Sequence, residues 1–195
     1  MSLLLFCEWL AETRGSIALR ESFYMYPLVE SVHVLTLCLF VGMSVLLDFR
    51  LLGLTLRRVR VLEVTNRLLP LLQAGFAVMV VTGLLLFYAI PVRSYQNIFF
   101  RIKMITLVLA GLNAWLFHVG VYRRAAEWDL DRVPPKAARL AGTASLICWS
   151  VIIVAGRMIA YNWFDCDKQP QPPFVNWAAG CIVDSNANPN PNPEP

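Results

Sequence analysis

The sequence predicts an all-α, polytopic membrane protein: a four-transmembrane-helix up-down bundle with an N-terminal interfacial helix and an irregular C-terminal tail. Three observations carry this. Of 195 residues 57% are hydrophobic and 15% charged; so few polar groups cannot cover the chain's apolar surface, so lipid must. Four apolar runs each reach the roughly 20 residues that a helix needs to cross a bilayer. Arg and Lys gather in the loops after the first and third runs.

The runs lie at 27–49, 69–90, 101–122 and 138–163. Their connections are short, so sequence neighbours are expected antiparallel. The alternating ten-residue segments of a membrane barrel are absent. The chain thus divides into an N-terminal segment (1–26), a transmembrane domain (27–163) and a tail (164–195).

The loop after the first run holds Arg50, Arg57, Arg58, Arg60 and Arg67; the loop after the third holds Arg123, Arg124, Arg132, Lys136 and Arg139. The positive-inside rule puts both loops in the cytoplasm and both termini outside. The net charge of +4 is explained by cations at helix ends beside anionic lipid. No nucleic-acid-binding pattern is present, and no Ser-His-Asp set, CxxC, HExxH, P-loop or GxGxxG.

The start, "MSLLLFCEWLAETRG", lacks the basic region of a signal peptide, and Glu8 interrupts its apolar run. An interfacial helix is expected, with Leu3, Leu4, Phe6, Trp9 and Leu10 toward lipid and Glu8, Glu12 and Arg14 toward water. In the last run Ala138, Ala141, Gly142, Ser145, Gly156 and Ala160 permit close helix contact. Tyr24, Tyr26, Tyr88, Tyr161 and Trp163 fall at the outer interface and Trp128 at the inner one.

Cys38 and Cys148 read as core residues and Cys7 as interfacial. Cys166 and Cys181 follow the last run, where an oxidising compartment lets them pair as a disulfide; free thiols and metal binding are the alternatives. The tail ends in "PNPNPNPEP", which favours polyproline-like geometry. Such a tail forms no core of its own, and docking on other subunits of a membrane complex is an expected role.

Ionisable groups inside a bilayer are costly and pair or mark function. Counting from the span boundaries, His33 and Arg157 each lie about 9 Å below the outer boundary. Glu30, Lys103 and Tyr161 share that layer. One reading is a satisfied polar cluster in which Glu30 pairs with Arg157. The other is a cofactor site in which His33 ligates haem iron and Arg157, Lys103 or Arg101 pairs with the propionates. His118 lies about 25 Å from the outer boundary, roughly 16 Å deeper than His33, so the two cannot clamp one iron. A second metal site there competes with a histidine satisfied by Asp48 and Ser145. Asn113 and Thr82 are candidates for interhelical hydrogen bonds. Met79, Met104 and Met158 read as packing rather than copper ligands.

The stretches "ESVHVLTLCLFVGMSVLLDFRLLG", "GFAVMVVTGLLLFY", "FRIKMITLVLAGLNAWLFH" and "SLICWSVIIVAGRMIAYNWF" together resemble an uncharacterised family of bacterial four-helix integral membrane proteins. The resemblance covers roughly residues 5–165. More distantly the layout resembles copper-resistance D-type proteins and the bacterial membrane protoporphyrinogen oxidase. In the oxidase family a first-span histidine precedes a glycine-containing stretch, and a lysine opens a later helix ending in histidine. His33, Lys103 and His118 match those places, with the last spacing about one turn longer. That resemblance implies haem b and the bacterial inner membrane. The functional expectation is a membrane subunit of b-type-cytochrome character. It would pass electrons within a complex, with quinone a candidate partner. A cofactor-free structural or assembly subunit docked through residues 164–195 is the alternative. A copper or small-solute transporter is a weaker third, lacking a Met-rich or His-rich path.

Overall fold

The computed structural model describes residues 3–56, 58–129, 134–161, 166 and 171–181. Every regular element among them is helical. Two short helices, α1 (Leu3–Ala11) and α2 (Arg14–Glu21), precede α3 (Met25–Leu51) and α4 (Val61–Ala89). Helix α5 (Pro91–Tyr95) leads into α6 (Ile98–Leu116), which continues through a π turn (Phe117–Val121) and a 3₁₀ turn to Arg124. The short α7 (Ala125–Trp128), the long α8 (Lys136–Ile159) and α9 (Pro173–Ala179) complete the chain.

Four helices, Met25–Leu51, Val61–Ala89, Ile98–Arg124 and Lys136–Ile159, are long and apolar enough to cross a membrane. No more than 22% of any span's apolar window is buried, so their outward faces need lipid. The spans run slightly past the expected limits at most ends. The largest difference is in α4, which begins eight residues before the expected 69 and carries Pro70 inside it. The missing N–H of Pro70 leaves only the Asn66 carbonyl without its helical partner, and Asn66 is exposed to solvent.

Helix α3 packs on α4, α6 on α8, and α3 on α8. Each span gives a residue to the central core: Phe40, Met79, Ala110, and Trp149 with Ile152. The Phe40 and Trp149 rings meet edge-on at 4.9 Å. Gly142 lets α8 close on α3, where a Cβ would lie 3.2 Å from the Asp48 carbonyl oxygen. Asn113 Nδ2 donates across to the Ala141 carbonyl at 3.0 Å.

At the His33 end, the N-terminal helices fasten to the tip of α4. Thr13 caps α2, its oxygen accepting from the Ser16 N–H. The Thr13 hydroxyl donates to the Leu10 carbonyl at 2.8 Å, so the Tyr88 hydroxyl donates to Thr13, also at 2.8 Å. Ser16, fully buried, donates to the Tyr88 carbonyl. Leu3, Leu5, Phe6 and Trp9 face outward.

The tail is less irregular than its composition suggests. Cys166 and Cys181 form a disulfide with Cα atoms 5.3 Å apart. The loop they close contains α9, with Val175 and Ala179 buried beneath it. Arg101 holds it down: Nη1 donates to the Ala178 carbonyl at 2.8 Å and Nε to the Tyr95 carbonyl at 3.1 Å. The "PNPNPNPEP" end, Trp163 and, of the expected docking residues 164–195, positions 164–165, 167–170 and 182–195 lie outside the described residues.

Candidate functional site

His33 lies two turns into α3 and reaches across to α4. The Thr82 hydroxyl donates to the Val78 carbonyl at 2.7 Å, which uses its single hydrogen. The 2.8 Å contact between His33 Nδ1 and Thr82 Oγ1 is therefore donated by the imidazole N–H. Nε2 keeps its lone pair and has no hydrogen-bond partner among the described residues. Gly83 makes the approach possible, since a Cβ there would already lie 3.4 Å from His33 Cε1.

Lys103, half-buried on the first turns of α6, extends into the bundle from the opposite side. The ammonium passes Gly156 of α8, where a Cβ would stand 4.0 Å from Nζ. Among the described residues no carboxylate pairs with it; the ion pairs are Arg20–Glu21 and Arg67–Glu63. The four spans thus converge on an open imidazole nitrogen, an uncompensated ammonium and two glycines.

The other expected members stand apart. Glu30 is exposed and forms no ion pair with Arg157 among the described residues. Arg157, also exposed, lies over the Tyr161 ring at 5.0 Å. Arg101 serves the C-terminal lobe rather than the bundle interior. His118 is exposed within the π turn and stacks on Tyr122 with centroids 5.2 Å apart. No group of three or more His, Cys, Asp or Glu arranged to hold a metal ion occurs among the described residues. A haem iron needs only one or two protein ligands, so that observation concerns other metal sites.

Sequence reading missed the basic end. Arg50 is 1% exposed, with Nε donating to the Val59 carbonyl at 2.9 Å. Asp129 beside it accepts from the Leu62 N–H at 3.1 Å. Arg50 Nη1 and Asp48 Oδ2 are buried and have no hydrogen-bond partner among the described residues. An arginine closing an apolar run reads as a solvated helix end, so no local signal marks its burial.

These features define an integral membrane protein of four helical spans with a polar niche between them. Residues 6–162 match a family of unknown function, DUF6644, and the chain belongs to that family. No curated protein and no solved structure matches it.

Proposed function

We propose that the niche binds haem b and that the protein is an electron-transferring subunit of a bacterial inner-membrane complex, with the niche toward the periplasm and both termini there. The observation that carries this reading is the state of His33. Its Nδ1–H is held by Thr82, and its Nε2 is free, the arrangement by which proteins orient an iron-ligating imidazole. Lys103 supplies the positive charge that a propionate needs inside the bilayer. Gly83 and Gly156 leave width beside both groups. The distant layout resemblance to the haem-b oxidase family supports the same residues. Haem supplies one-electron chemistry when bound; the chain's part is to orient the ligand, neutralise the carboxylate and exclude water. A quinone within the bilayer is the natural electron partner.

Absorption spectra of the isolated protein, oxidised and then reduced, test the reading. A Soret band with stoichiometric iron is expected, lost in His33→Gln and weakened in Lys103→Gln. A folded protein with neither band nor iron overturns it.

A second reading rests on the C-terminal lobe. Helix α9 is clamped by Arg101 and a disulfide, yet Phe174 and Trp177 point outward, Trp177 at 79% exposure. A cofactor-free assembly subunit would use such a face to dock. Deleting residues 164–195 should then abolish co-purification with larger subunits; unchanged co-purification rules the lobe out.

A further inference from the structure

A cleft of about 240 Å³ opens at the basic end of the bundle, between the end of α3 and the first turns of α8. Leu52, Lys136, Arg139, Leu140 and Thr143 line it. On α8 the last four recur at the three- and four-residue spacing of one helix face. Neither Lys136 nor Arg139 has a carboxylate partner among the described residues. The Thr143 hydroxyl donates to the Arg139 carbonyl at 3.0 Å, so the two cations are the groups left to bind an anion. Leu140, 72% exposed, and Leu52 form an apolar wall beside them.

A pair of unneutralised cations next to exposed leucines, at the rim of a bundle that needs lipid around it, suits a ligand with an anionic head and a hydrocarbon body. We propose that this cleft binds the phosphate headgroup of an anionic phospholipid, with Lys136 and Arg139 on the phosphate and Leu140 against the acyl chains. The arginine fork matches phosphate oxygens and the lysine adds a point charge. This assignment is independent of haem binding.

Delipidated full-length protein is titrated with phosphatidylglycerol, with phosphatidylcholine and with inorganic phosphate. Bound lipid is counted by native mass spectrometry, and the thermal midpoint is read by circular dichroism. The wild type should retain phosphatidylglycerol and gain stability from it, with little response to the other two. The Lys136→Gln/Arg139→Gln variant should bind it roughly twentyfold more weakly, from two lost surface cations. Arg123→Gln/Arg124→Gln should bind like the wild type. Equal retention of phosphatidylcholine overturns the proposal, as does stabilisation by inorganic phosphate equal to that by lipid. So does equal loss in both double variants, which would reduce the effect to the general charge of that rim. Should the first variant fail to fold, the lipid comparison on the wild type decides alone.

Discussion

His33 Nδ1 lies 2.8 Å from Thr82 Oγ1, and the Thr82 hydrogen is already spent on Val78. One threonine therefore fixes both the tautomer and the direction of a histidine on another helix.

Thr82→Val keeps the volume and removes the acceptor. The imidazole N–H then loses its acceptor, and the bundle should lose about 1 kcal/mol. Haem affinity should fall roughly tenfold to a hundredfold, the usual cost of removing the partner of a ligating histidine. Thermal unfolding of the apoprotein and a haem titration measure the two effects separately.

Gly15 faces Tyr88 so closely that an added Cβ would stand 2.5 Å from its hydroxyl oxygen. Gly15→Ala should lift the N-terminal helices from α4, at a cost of about 1–3 kcal/mol. Tyr88→Phe removes the clashing oxygen and loses the bond to Thr13. The double variant should therefore be more stable than the sum of the two losses predicts. Four melting curves complete the cycle; strict additivity would refute the contact.

Gly180 has φ +70°, and a Cβ there would lie 2.8 Å from Arg101 Nη2. Gly180→Ala combines left-handed strain with a collision, and should loosen the lobe by about 1–2 kcal/mol. Arg101→Gln should loosen it too, by releasing the Ala178 and Tyr95 carbonyls. In each case limited proteolysis within 171–181 should quicken, most visibly once the disulfide is reduced.

Cys7 is buried in α1. That burial, and then the charge of Glu8, push its thiol above the ordinary value. The folded state holds this proton more tightly than the unfolded one. The associated stability is complete below the ordinary thiol range and is lost as pH rises through the raised value. Iodoacetamide labelling followed by mass spectrometry should show Cys7 reacting more slowly than in a denatured control at neutral pH, with the difference shrinking at high pH.

The spans are legible in the sequence because lipid contact is written as composition. Gly142 and Asn113 are legible because small and amide residues have few other uses at helix contacts. Rotation about each helix axis is not written that way. Glu30 and His33 are three residues apart and nominally share a face, yet Glu30 is near enough to the end of α3 to reach the surface while His33 turns to Thr82. The depth argument sets Lys103, His33 and Arg157 in one layer, but it does not give side-chain direction, and the long Arg157 side chain folds back over Tyr161. Arg50 looks like a flanking charge; its burial depends on the Val59 and Asp129 backbone, which no local pattern announces. Helix α9 escapes notice because seven residues opening on a proline have little intrinsic helicity, and a disulfide with Arg101 holds them in place.

The anchoring of Ser16 to Tyr88, 72 positions later in the chain, has a consequence for biosynthesis. The ribosome releases the amino end first, but its attachment point exists only after the second span has been made and inserted. The helix that carries Ser16 can therefore dock only after the second span is in place, although it is made before the first.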